Sequence, residues 1–90
     1  MTRLLLVIRG QVQGVGFRYF MRREALALGI NGQVRNLADG AVKVTAEGSV
    51  AELKQLKARA AAGPGTARVA AVEEEWSEGP PQFVTFEITR

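Results

Sequence analysis

Residues 3–18 read RLLLVIR and then GQVQGVGFR, and this passage shows how the chain begins to fold. From Arg3 to Arg9 the residues are almost wholly branched and apolar, over a length that suits one buried strand. Glycines follow at positions 10, 14 and 16. The apolar residues Phe17, Phe20, Met21, Ala25 and Leu28 then recur at helical spacing, and Gly29 is placed to end the helix. The first unit is therefore a strand, a glycine loop and a helix over 17–28.

Residues 30–36 and 41–47 flank Leu37-Ala38-Asp39-Gly40, whose Asp-Gly step predicts a hairpin turn. Ser49-Val50-Ala51-Glu52 matches a capping box. Val50, Leu53, Leu56 and Ala60 continue as a helical stripe, so a second helix is predicted over 50–61, ahead of the breaker Gly63-Pro64-Gly65. Residues 68–76 are strand-like, with Glu73-Glu74-Glu75 requiring a solvated face or an edge. Gly79-Pro80-Pro81 breaks the chain, and Val84, Phe86 and Ile88 alternate through a closing strand over 83–89. The predicted architecture is one α+β domain over 1–90: a ferredoxin-like β-α-β-β-α-β sandwich, with an antiparallel sheet, two helices on one face and a short additional C-terminal strand.

Composition restricts the chemistry. At 90 residues, 47% hydrophobic and 23% charged, the chain has ordinary globular proportions. It contains no histidine and no cysteine, which excludes thiol nucleophiles, imidazole bases and Cys/His zinc sites. The apolar run at residues 4–8 is too short for a signal-peptide core or a membrane span. We expect a cytoplasmic monomer with no membrane partner and no cofactor or metal.

Charge is uneven along the chain. Residues 1–40 carry six arginines against Glu24 and Asp39, a net of +4, whereas residues 41–90 carry a net of −1. The glycine loop lies in the positive half. Gly10, Gly14 and Gly16 permit conformations that turn several N–H groups toward one point, and a helix N-terminus follows with about half a unit of positive charge. Arg18 adds a planar donor fork in the first helical turn. Spacing alone leaves two readings, an anion cradle or a tight turn beside a surface cation. Neither the P-loop pattern nor GxGxxG fits the glycine spacing.

The run Val12-Gln13-Gly14-Val15-Gly16-Phe17-Arg18 resembles a signature of the acylphosphatase family, and Gly32-Gln33-Val34-Arg35-Asn36-Leu37-Ala38-Asp39-Gly40-Ala41-Val42 resembles the second. Gly63-Pro64, Ala67-Arg68-Val69 and Phe86-Glu87-Ile88 are also similar to that family, so the resemblance spans essentially the whole chain. It implies hydrolysis of acyl phosphates, small carboxyl-phosphate mixed anhydrides, in a ferredoxin-like fold without a metal or cofactor. It further implies that Gln13, Gly14, Val15, Gly16, Phe17 and Arg18 bind the phosphoryl group and that Asn36 holds the attacking water. Gln33 departs from the pattern, which commonly carries an aromatic at that position.

Elementary chemistry is compatible with this. A carboxylate leaving group has a reference pKa near about 4, so its departure needs no strong general acid. What remains is to hold the phosphoryl group, neutralise its charge and place a water in line, which hydrogen-bond donors can do. An RNA-binding module shares the element order, and Gly14-Val15-Gly16-Phe17-Arg18-Tyr19-Phe20 superficially mimics its glycine-aromatic run, but that run enters a helix here. A non-catalytic accessory domain of the same fold is the other alternative, against which stand Arg18, Asn36 and a chain of single-domain length. Tyr19, Phe20 and Trp76 are expected to be core or partly buried, Asp39 to serve the turn, and Arg22 and Arg23 to face solvent.

Overall fold

A computed structural model describes all residues 1–90. Its elements are β1 (Thr2–Gln11), α1 (Phe17–Ala27), β2 (Asn31–Asn36), β3 (Val42–Gly48), α2 (Val50–Ala62), β4 (Arg68–Glu78) and β5 (Phe86–Ile88), with the sheet ordered β4-β1-β3-β2-β5. The periodicities predict the helices to within one residue at their ends. α2 has its full capping box, with Ser49 accepting from the Glu52 N–H while Glu52 accepts from the Ser49 N–H.

Alternation along the strands decides where the core sits. Leu4, Leu6 and Ile8 of β1 point to the same side as Val42, Val44 and Ala46 of β3 and Val34 of β2, and all are essentially unexposed. Phe17, Met21 and Ala25 of α1 and Leu53, Leu56 and Ala60 of α2 cover that side. Phe20 packs at the margin, edge-on to Phe17 at 5.8 Å between ring centroids. Tyr19 does not join the core as expected: it is 72% exposed, because its position on α1 lies outside the stripe set by Phe17, Met21 and Ala25. Trp76 does not join it either, at 37% exposed on β4. No helix is long and apolar enough to cross a membrane.

Three features differ from the sequence reading. First, β1 runs on to Gln11, with a register shift between Arg9 and Gly10. Gly10 has φ of 135°, and a Cβ there would lie 2.1 Å from the Arg68 carbonyl oxygen. It therefore serves the close approach of β4 and takes no part in the loop. Second, the closing strand shortens to three residues. Third, it runs parallel to β2, so the sheet is mixed, although the four longer strands are antiparallel. The direction follows from the route. β4 ends opposite Thr2, and residues 79–85 cross to the other edge of the sheet before β5 starts beside Gly32.

That crossing strap is held by Glu47, the one buried charged side chain. Its carboxylate accepts from Arg3 at 2.7 Å and from the backbone N–H groups of Gln82 at 2.9 Å and Phe83 at 3.1 Å. Burial pushes the Glu47 carboxyl up, but Arg3 and the two amides outweigh it and hold the group below its ordinary value. The stability Glu47 supplies is thus fully present above the ordinary carboxyl range and is lost as pH falls below it. Glu47→Ala, which leaves Arg3 and two amides without their acceptor, should cost about 3 kcal/mol. Thermal melts from pH 7 down to pH 3 should show the wild type losing stability more steeply than Glu47→Ala over the acid limb.

Candidate active site

Between β1 and α1 the chain passes through residues 12–16. Val12 and Phe17, each 1% exposed, anchor the two ends in the core. Gly14 and Gly16 have φ of 74° and 79°, and a Cβ at either would meet no atom within 4 Å. Glycine is needed there for backbone conformation and not for space. Gly16 is also the N-cap of α1, without any side-chain cap and without an acidic residue in the first turn. The contrast with the fully capped α2 is plain: the α1 N-terminus keeps its N–H groups and its partial positive charge free for an anion. None of the well-formed backbone hydrogen bonds outside the regular elements uses an N–H between Gln13 and Gly16 as donor.

Arg18 follows in the first turn. It is half-buried, and no carboxylate lies within ion-pair distance of it. Much of the positive charge in residues 1–40 is neutralised elsewhere: Arg3 pairs with Glu47, Arg9 with Asp39 and Glu73, and Arg23 with Glu24. Arg22 is exposed as expected and also donates to the Phe86 carbonyl, which braces β5. The field at the loop therefore rests on Arg18 and the helix N-terminus.

Asn36 reaches this region through the sheet. β1 and β2 both lie antiparallel to β3, so their C-terminal ends share one edge, and Ile8, Val42 and Asn36 stand in line across it. Asn36 shares the helix-facing side with Val34, two residues before it. Its Oδ1 is buried and has no hydrogen-bond partner. The loop is tied to the turn after Asn36 by Gln13, whose Nε2 donates to the carbonyls of Leu37 and Ala41. On its other side the loop is tied by Thr66, whose hydroxyl donates to the Val15 carbonyl at 2.8 Å.

The turn itself is closed by hydrogen bonds. Asp39 accepts from the Ala41 N–H at 3.0 Å and from Arg9 at 2.9 Å, and the Arg9 hydrogen bond chiefly holds its carboxyl below the usual range. No three His, Cys, Asp or Glu side chains converge as metal ligands would. Two surface depressions lie away from the loop. One of about 340 Å³ is lined by Lys54, Lys57, Ala58, Ala61, Glu74 and Trp76, and a smaller one lies beside β5. The loop lines neither.

The family model described as Acylphosphatase matches residues 4–88, which include the loop, Arg18 and Asn36. The chain belongs to the acylphosphatase family. It is 46% identical to an acylphosphatase of Thermus thermophilus over 78 residues, covering 87% of this chain and 89% of that one. Its fold matches the crystal structure of acylphosphatase from Bacillus subtilis with a TM-score of 0.96 at 31% identity, with all of both chains covered. It also matches part of HypF from T. kodakarensis, at a TM-score of 0.86 and 26% identity, covering 99% of this chain and 12% of that one. The same fold thus also occurs as part of a much longer chain.

Within this acylphosphatase fold the structure brings Gln13, Gly14, Val15, Gly16, Phe17 and Arg18 together as one loop and first helical turn, and ties that loop to the turn that follows Asn36. Gln33 pairs with Thr45 and Glu87 and lines the depression beside β5. Alternation places it on the sheet face opposite Asn36, so its departure from the family pattern bears on the packing of the strap. Sequence reading missed Glu47, Thr66 and the side-chain role of Gln13. Each acts on a partner distant in sequence, and no local pattern marks such a partner.

Proposed function

We propose that this protein hydrolyses the mixed anhydride of acyl phosphates. The backbone amides from Gln13 to Phe17 and the Arg18 guanidinium hold the phosphoryl group, and Asn36 orients the attacking water. The observation that carries this reading is the buried, unpartnered Oδ1 of Asn36 on a strand end tied to an uncapped helix N-terminus. A buried acceptor without a partner costs about 1–3 kcal/mol, a penalty consistent with an acceptor kept for a ligand.

The reaction needs no titrating imidazole. Asn36 Oδ1 accepts a hydrogen bond from the water and aims its lone pair at phosphorus. The water oxygen–phosphorus bond forms as the bond from phosphorus to the acyl oxygen breaks, and the carboxylate leaves unprotonated because it is a weak base. The water's proton passes to the phosphate being formed, so an acyl phosphate dianion and water give a carboxylate and dihydrogen phosphate. Arg18 and the loop amides oppose charge on the equatorial oxygens in a fixed geometry.

The proposal includes a cytoplasmic monomer that acts on small acyl phosphates without a cofactor. RNA binding is disfavoured because β1 and β3 carry no aromatic on which bases could stack, and the run from Gly14 to Phe20 enters α1. The deciding measurement is hydrolysis of benzoyl phosphate in excess EDTA. Turnover should persist well above the spontaneous rate, and its absence would overturn the proposal.

A further inference from the structure

Gln13 grips the turn that carries Asn36. Its Nε2 donates to the Leu37 carbonyl at 2.7 Å and to the Ala41 carbonyl at 2.9 Å, in a partly buried setting. These are the two carbonyls that close the turn, since the Leu37 N–H donates to Ala41 O at 2.8 Å and the Gly40 N–H to Leu37 O at 3.2 Å. Each carbonyl oxygen has two lone pairs, one used inside the turn and the other taken by Gln13. A primary amide is one of the few neutral side chains with two hydrogens on one atom, so a single short group spans both ends of the turn. Leu37 directly follows Asn36, and Gln13 directly precedes Gly14.

We propose that Gln13 is a positioning residue, whose side-chain amide sets the distance between the phosphate-holding loop and the water held by Asn36. This rests on the acyl phosphate reading of the site. Arg9 and Asp39 restrain the turn from the β1 side, but neither touches the loop. Gln13 is the only side chain hydrogen-bonded from the loop to that turn. With the amide removed, the loop can still hold phosphate through its own N–H groups and Arg18, while the register between phosphorus and water loosens.

Gln13→Ala and Gln13→Glu test this, each compared with wild type in benzoyl phosphate turnover and in competitive inhibition by inorganic phosphate. At pH 7 both variants should lose about 10- to 100-fold in kcat, the scale expected for sub-ångström to ångström misplacement, with phosphate inhibition nearly unchanged. The Glu variant sets a carboxylate against two carbonyl oxygens at pH 7. As pH is lowered toward 4.5 its carboxyl gains a proton and one donor returns, so its kcat relative to wild type should rise, whereas that of the Ala variant should stay low. An unchanged kcat, a parallel loss of phosphate inhibition and kcat, no difference between the two pH profiles, or loss of folding in either variant would each overturn the positioning role. Wild type without turnover would instead sink the acyl phosphate reading.

Discussion

Arg18→Ala should lower kcat for benzoyl phosphate by about 10²- to 10³-fold and should also weaken competitive inhibition by inorganic phosphate. Both effects follow from one property of the side chain. Arg18 is half-buried beside an uncapped helix N-terminus and makes no ion pair, so its guanidinium is free to bind an anion in the ground state and to oppose charge in the transition state. Thermal stability should hardly change, since no intramolecular partner is lost. Arg18→Lys should recover only part of the activity, because an ammonium supplies a point charge without the two parallel donors of the fork. Unchanged kinetics in Arg18→Ala would remove the residue from the site.

Asn36→Ala should lower kcat to a similar extent, about 10²- to 10³-fold, while leaving phosphate inhibition close to that of wild type. Such a split would separate the two proposed roles, Arg18 holding the phosphoryl group and Asn36 acting on the water alone. Stability supplies a second reading of the same variant. Because Oδ1 is buried without a partner, truncation removes a penalty of about 1–3 kcal/mol, and the variant should melt no lower than wild type. Loss of activity with retained or raised stability is the pattern of a group held for function. An Asn36→Ala variant that keeps its kcat, or that loses phosphate inhibition together with kcat, would contradict the assignment.

The Lys54 to Trp76 groove and the loop illustrate how cavity volume and chemistry diverge. The groove is the larger depression, yet one of its two lysines is already neutralised, Lys57 pairing with Glu74 at 2.7 Å. The loop encloses little space but presents donors without acceptors. A reading by volume alone would choose the groove and not the loop on which the proposed function rests.

How much of this was legible in consecutive residues can be judged from particular cases. Leu4, Leu6 and Ile8 announce β1 by alternation, Phe17, Met21 and Ala25 announce α1 by helical spacing, and Ser49 with Glu52 announces the start of α2. All three patterns repeat within a few residues because strand and helix geometry repeat on that scale. Gly14, Gly16 and Arg18 likewise marked a glycine loop ahead of a helix start, which are local matters, while spacing alone left open whether that loop is an anion cradle or a tight turn. Gly10 was misassigned with them, because its need for glycine comes from the Arg68 carbonyl on a strand nearly 60 residues later.

The amino-acid order alone therefore settled the elements, their succession, the position of the glycine loop and the two runs that place the chain in its family. Three matters were left to the assembled fold: the parallel direction of β5 with its clasp at Glu47, the solvent exposure of Tyr19, and the junction at which Gln13 holds the turn of Asn36. Gln13 lies 24 residues from Leu37 and 28 from Ala41, and Glu47 lies 35 from Gln82. Hydrogen bonds across such separations form only after the sheet has set the strands in register. Periodicity carries no record of them, and the orphaned oxygen of Asn36 became visible only once its surroundings had closed.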